Sequence, residues 1–349
     1  MTQLSWQDAT IEWFGATTFR LQAKGLTIFL DTWLERPSVM PTFLRIDEVT
    51  HADYIFISHA HFDHLPGCDR LAKQTGAIVI ANGEAINVLR GAGVPEEQLL
   101  PVAGGERIPL FLSKTRQDAT GGKCRLAGGP PGAPPLPHSD LAVAEVHVWP
   151  SLHCLLPGQS HADIPDVMDT GTKYSGSSPY ACTIDITRGM RYGLLRLGEI
   201  VPAERLDDGE KSFVEYVADT KRNVMSNFDG GQLCFSLLVD ERTLCWNGHL
   251  GGYSAILQTI RPQPDVLIQA IAGRANIDGW PFDGSAAEAA SDICRWLGQP
   301  QRVIWCLHDD APIKPWRIDT KAATEMVEAV TKSRIHSLDH AVKVKVFPS

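Results

Sequence analysis

Apolar and polar side chains alternate with a period of two along the opening of the chain. Thr10-Ile11-Glu12-Trp13-Phe14, Thr17-Thr18-Phe19-Arg20-Leu21 and Leu26-Thr27-Ile28-Phe29-Leu30 read as three strands of a meander, separated by Gly15 and by a Lys24-Gly25 turn. The third strand runs into Asp31. Tyr54-Ile55-Phe56-Ile57 has no polar face, which marks a short strand buried on both sides. Pro66-Gly67 then opens a helix through Leu71 and Ala72. Ala77 to Ile80 reads as a further strand, and Glu84 to Arg90 as a helix that stops at Gly91.

Between Ser113 and Asp140 the periodicity is lost. Gly121-Gly122 and the run Gly128-Gly129-Pro130-Pro131-Gly132 suit neither helix nor central strand, so a loop insertion is expected there. Strand pattern resumes over Leu141 to Trp149. From about 158 to 230 the chain is polar, Gly/Ser-rich and then turn-rich, and no elements are assigned. The second half is regular again, with strands at Gln232 to Val239 and Thr243 to Trp246 joined by an Asp240-Glu241-Arg242 turn. A helix starts near Ser254, and a strand covers Asp265 to Ile268. Ser285 to Leu297 is a helix, Arg302 to Leu307 a strand, Thr320 to Lys332 a helix and Ala341 to Phe347 a last strand. Strands that open both halves, with helices interspersed later, predict an α/β sandwich of sheets covered by helices. No linker interrupts the pattern. One domain over 1–349 is expected, with insertions at about 113–140 and 158–230.

Composition narrows the function classes. The net charge is −9 and no basic stripe is present, so a nucleic-acid partner is not expected. No apolar run is long enough to span a bilayer, and the first residues show neither a basic nor an apolar leader segment. A cytoplasmic protein acting on a small molecule is the expectation; oligomeric state is left open. The eight cysteines are scattered without a CxxC pair, several inside apolar runs, and read as small buried hydrophobes. Cys154 stands out only because it follows His153.

The chemistry concentrates in Ile57-Ser58-His59-Ala60-His61-Phe62-Asp63-His64, directly after the apolar strand. Three histidines and an aspartate within six residues lose solvation when packed together, and protonated imidazoles repel one another. A divalent cation removes both penalties.

His-x-His-x-Asp-His at a strand end resembles the signature of the metallo-β-lactamase superfamily, and the similarity runs from about residue 10 to about 310. It implies an αββα sandwich with long inserted loops and one or two divalent ions at the edge of its sheets: zinc, with iron and manganese as alternatives. By this resemblance His59 and His61 bind a first ion, and Asp63 and His64 a second. The segment Val148-Trp149-Pro150-Ser151-Leu152-His153 is similar to the one that carries the third histidine, which selects His153 over the in-strand His147. His308, after Val303 to Leu307, would complete the second site. Asp31 matches an aspartate that ends an early strand and implies a hydrogen bond accepted from a ligand histidine. Leu244 to Tyr253 matches the glycine-aspartate segment, but His249 stands where a metal-bridging aspartate is expected. A carboxylate can bridge two cations, whereas a neutral imidazole gives one lone pair to one. The second ion should therefore be weak or absent.

The pattern as a whole looks most similar to the branch of ascorbate-phosphate lactonases and N-acyl phosphatidylethanolamine phospholipase D. The implied activity is attack by a metal-bound hydroxide on an ester, lactone, amide or phosphodiester of a medium-sized organic substrate, with Asp63 and His249 as catalytic residues. The altered bridge keeps a non-haem di-iron oxygenase as an alternative. A non-catalytic metal-binding protein is the second alternative, though more than four ligand-type positions argue against a purely structural ion. Leu155, Leu156, Met168, Tyr174 and Tyr180 suggest a partly apolar rim. Arg188, Arg191 and Arg196 are candidates for an anionic group, and loops 273–276 and 279–281 for further contacts. His51, His138, His161, His336 and His340 have no comparable setting and are read as solvated or structural.

Overall fold

The computed structural model describes residues 5–156, 163–176 and 183–348. His161 and Tyr180 lie outside the described residues. The strands of its two large sheets are, in chain order, β1 (Thr10–Trp13), β2 (Phe19–Ala23), β3 (Leu26–Leu30), β4 (Tyr54–Phe56), β5 (Ile78–Ala81), β6 (Leu99–Pro101) and β7 (Arg107–Leu110). They continue as β8 (Ala144–Pro150), β9 (Leu233–Val239), β10 (Arg242–Asn247), β11 (Val266–Ala270), β12 (Arg302–Cys306), β13 (Arg334–Ile335) and β14 (Val344–Lys345). The first sheet has the order β14-β1-β2-β3-β4-β5-β6 and the second β13-β12-β11-β10-β9-β8-β7. Each sheet is antiparallel at one side and parallel at the other: β3 to β6 run parallel, as do β10 to β13.

The period-two pattern sorts the side chains into layers. Tyr54 and Phe56 face the space between the sheets, while Ile55 and Ile57 face the helices outside the first sheet. In the inter-sheet core Phe56 stacks on Phe235 with ring centroids 5.2 Å apart, and Phe235 on Trp246 at 5.6 Å. Helices Cys68–Thr75 and Gly83–Gly91 cover the first sheet. Helices Ser254–Thr259, Ala286–Trp296 and Lys321–Val330 cover the second. The result is an αββα sandwich: sheets covered by helices, as the residue pattern predicts, in the layer order that the resemblance implies.

Three expectations need correction. The segment after Ser113 begins with a helix, Ser113–Thr120, not a loop; it lacks an apolar stripe and buries only Ala119, so it left no periodic signal. The expected last strand shrinks to β14, because its approach passes through a left-handed turn at Ala341 (φ 57°). The second insertion is also more ordered than its composition suggests, with helices Thr183–Tyr192 and Asp208–Ala218 among its elements. These helices bring Ile186, Met190, Phe213 and Tyr216 against Trp33 and Phe62, so the insertion covers the histidine-rich turn.

Candidate metal centre

Five strands end in a side chain of the expected site. Asp31 follows β3, the His59–His64 turn follows β4, His153 follows β8, His249 follows β10, and His308 follows β12. Asp31 adopts a left-handed backbone conformation (φ 49°), which breaks the strand and turns its carboxylate inward. There Oδ1 accepts from the Ser58 amide (2.8 Å), and Oδ2 accepts from Ser58 Oγ (2.9 Å), Thr17 Oγ1 (2.6 Å) and His64 Nδ1 (2.6 Å). With Nδ1–H committed to Asp31, His64 presents Nε2 to the cluster. Asp63, half-buried, places Oδ2 3.3 Å from that Nε2, although the contact lacks hydrogen-bond geometry.

His59, His61, His64, His153 and His249 are all buried, the most exposed of them, His153, by only 6%. His59 Nε2 lies 3.0 Å from His61 Nδ1, and His61 Nδ1 lies 3.3 Å from His153 Nε2. A tetrahedral zinc with metal–nitrogen bonds of about 2.0–2.1 Å requires nitrogens about 3.3 Å apart, so these edges fit a cation. His59 also groups with His64 and His249, all three ligand atoms lying within 4.8 Å of one another. His61 Nε2, His64 Nε2 and both nitrogens of His249 are buried without a hydrogen-bond partner. Buried polar atoms are rarely left so, and together they describe a cradle for a positive ion.

Electrostatics suit the same role. Burial first, and then repulsion from neighbouring imidazoles, hold His59, His61 and His249 well below the usual histidine range. Each therefore keeps a lone pair at neutral pH. His64 goes the other way: burial would lower it, but Asp63 and Asp31 outweigh burial and raise it to about 10. Any ion taken up at Nε2 must displace that proton.

His308 does not join these groups. Leu307 turns left-handed (φ 58°) and donates its amide to Ala16 O at 2.9 Å. The His308 ring packs on Trp13, with centroids 4.9 Å apart. Beside it, Asp309 Oδ2 meets Arg36 Nη1 at 2.9 Å in a buried ion pair. Gly15 (φ 92°) makes room for this pair, since a Cβ there would lie 1.7 Å from Arg36 Nη2. His147, passed over in favour of His153, lies in β8 with Nε2 2.7 Å from Glu145 Oε1. His340 is stacked between Trp13 (4.2 Å) and Phe43 (4.1 Å).

Around the cluster, Phe62 meets Phe213 edge-on at 4.9 Å, and Trp33 Nε1 donates to Tyr216 Oη at 3.1 Å. Loop 273–276 reaches the site through Asn276 Nδ2, which donates to His153 O at 2.9 Å. Of the arginines suggested for an anion, Arg196 is paired with Glu199 and Arg191 lies over the Tyr192 ring. Leu156 stands exposed at the rim. A surface cavity of about 580 Å³ lined by Lys173, Tyr174, Glu288 and Arg295 contains none of these histidines, so ligand chemistry rather than cavity size marks the centre. One residue weighed only in passing proves close to it. Cys154 Sγ lies 3.8 Å from His153 Nδ1 and forms a third group with His153 and His249. Its adjacency to His153 was the available signal.

Known proteins resemble this chain in part of its sequence and in its overall fold. Residues 27–129 match the beta-lactamase superfamily domain. A UPF0173 metal-dependent hydrolase of Pyrobaculum islandicum is 34% identical over 100 residues, which cover 29% of this chain and 44% of the relative. The chain thus spans less than half the length of that relative. Among solved structures, Igni18, a metallo hydrolase from the archaeon Ignicoccus hospitalis, superposes with a TM-score of 0.53 at 15% identity, covering 96% of this chain and 97% of its own. CmlA, a diiron beta-hydroxylase from Streptomyces venezuelae, superposes at 0.50 with 13% identity, covering 97% of this chain and 54% of its own. Such low identities establish the fold alone. The sequence match to the beta-lactamase superfamily domain is thus confined to residues 27–129, while the fold of the chain as a whole is that of a metallo hydrolase.

Proposed function

We propose that the protein is a metal-dependent hydrolase acting on an ester, lactone, amide or phosphodiester of a medium-sized, partly apolar organic substrate. The observation that carries this reading is the convergence of His59, His61, His64, His153 and His249, with buried nitrogens that face no protein partner. The name of the Pyrobaculum islandicum relative supports it. A divalent cation held there, zinc or else iron or manganese, would supply a Lewis acid and lower the pKa of its water towards about 7.

The chain's own residues do the rest. His59, His61 and His153 form the firmer ion position, because His61 Nδ1 already stands 3.0 Å from His59 Nε2 and 3.3 Å from His153 Nε2. Asp63 carries the partly exposed carboxylate of the turn, the group that orients an attacking water and takes its proton on this reading. His249, with His59 and His64, makes a second position that has an imidazole in place of a bridging carboxylate. Phe62 and the helices over it exclude solvent from one side. A reducing, cytoplasmic setting belongs to this reading, since the described cysteines are all free. Among the described residues no helix is long and apolar enough to cross a membrane.

The test combines metal analysis of the purified protein with hydrolysis of a panel of nitrophenyl esters, lactones and bis(nitrophenyl) phosphate. Chelation should stop turnover. His61→Ala should abolish it while circular dichroism stays unchanged; retained activity in that variant overturns the proposal. Iron-coloured protein that consumes oxygen with substrate, and hydrolyses nothing in the panel, would replace it by the di-iron oxygenase.

A further inference from the structure

Once the His64 proton is displaced, the centre as described so far offers its cations five neutral imidazoles and the Asp63 carboxylate, with His249 in place of a bridging carboxylate. Negative charge is therefore scarce where a dication would sit between His249 and its neighbours. One further group can supply it. Cys154 Sγ forms a group with the ring nitrogens of His153 and His249 in which all ligand atoms lie within 4.8 Å of one another. The His153 and His249 rings are themselves close, with centroids 3.6 Å apart. His249 is 3% exposed, and neither of its nitrogens has a hydrogen-bond partner. The space beside the sulfur is kept open by Gly273: a Cβ at that position would lie 2.7 Å from Cys154 Sγ.

The tautomer of His153 sharpens the choice. Its Nδ1 lies 2.7 Å from the Cys154 carbonyl oxygen, which can only accept, so Nδ1 carries the proton. His153 then has one lone pair, at Nε2, for one cation. His153 Nε2 stands 3.3 Å from His61 Nδ1, so that cation is the one shared with His59 and His61, and a cation beside the sulfur falls to Cys154 and His249. We propose that Cys154 is a thiolate ligand to a divalent cation at the His249 edge of the cluster. This inference rests on the metal-centre reading above. On binding, the sulfur–metal bond forms and the thiol proton leaves to solvent; no electron is transferred. A coordinating thiol is deprotonated by its cation, so the thiolate restores the negative charge that the replaced carboxylate leaves missing. It also shifts the preference of the site towards softer ions than an oxygen and imidazole set would choose.

Cobalt(II) substitution of the full chain tests this, because thiolate and imidazole ligation give different spectra. The wild type should show visible d–d bands together with a near-ultraviolet sulfur-to-cobalt charge-transfer band. Cys154→Ser should lose the charge-transfer band and retain the d–d bands. Cys234→Ser is the control, since that thiol lies in β9 and its sulfur is 3.5 Å from Cys245 Sγ; its spectrum should match the wild type. Wild-type d–d bands without charge transfer, or a charge-transfer band that survives Cys154→Ser, overturns the thiolate while leaving the metal centre standing. No d–d absorption at all overturns the metal centre and the thiolate with it.

Discussion

Asp31→Asn tests how the first sheet aims its ligands. The carboxylate is fully buried and accepts four hydrogen bonds, three of them on Oδ2. The substituted amide keeps the shape but has one acceptor and one donor end. If its oxygen takes the Oδ2 position, the amide nitrogen faces the Ser58 N–H, donor against donor. If the nitrogen takes that position, His64 must accept at Nδ1, which puts its proton on Nε2, the atom that faces the cluster. Either arrangement forfeits bonds to a charged acceptor, at about 1.5–3 kcal/mol each, or leaves a buried donor unpaired for about 1–3 kcal/mol. Unfolding of the metal-free variant in urea should come out about 3–5 kcal/mol easier. Zinc affinity, read by competition with a chromophoric chelator, should fall about 10–100-fold, the usual effect of removing a carboxylate that orients a ligand histidine. There is a pH signature as well. Folded His64 holds its proton up to about 10, whereas an unperturbed histidine releases it near 6.5. Between those values the folded state binds more protons, so wild-type apoprotein should lose stability as pH rises through that window, with the contribution full below it. The variant, with one of two carboxylates gone, should show a shallower fall. Zinc affinity within twofold of wild type, with an unchanged pH slope, would refute the role assigned to Asp31.

His249→Asp restores a group able to bridge two cations, so the variant should retain more divalent ions per chain after gel filtration than the wild type. Equal stoichiometry, measured by elemental analysis of both proteins side by side, would mean that His249 is not what limits the second position. Asp309→Asn leaves the buried guanidinium of Arg36 without its counter-charge and should cost about 3–5 kcal/mol in urea unfolding; a loss below 1 kcal/mol would show that the Arg36 bond to the Phe14 carbonyl suffices.

Much of this architecture is legible from residue order. The inter-sheet core follows from alternation in β1 and β2 and from the apolar runs of β3 and β4; β3 and β4 lie where their pattern puts them, whereas β2 starts two residues later than expected, at Phe19. Four ligand-type side chains contiguous in sequence must also be close in space. His153 and His249 were legible for a weaker reason, their position just beyond a strand. The same reasoning fails for His308, because the ring it packs on, Trp13, comes from the other end of the chain. A strand-end position says that a side chain leaves the sheet edge, not which neighbour receives it. Helix Asp208–Ala218 carried a local signal that composition masked: Asp207 and Glu210 form a capping box. Helix Ser113–Thr120 had none, since its sequence is polar on all sides.

Asp31, His59, His61 and His64 hang from the first sheet, while His153 and His249 hang from the second. An ion bound among them is therefore a rivet between the two halves of the sandwich, joining segments that fold around different strands and are far apart along the chain. Because it binds the assembled pair and not the separated halves, it stabilises the whole by about 2.7 kcal/mol when its free concentration is a hundred times its dissociation constant. If the proposed site holds its ion, metal supply would set how firmly the molecule is held together, and a cell short of that metal would hold a looser, more protease-prone population of the same chain.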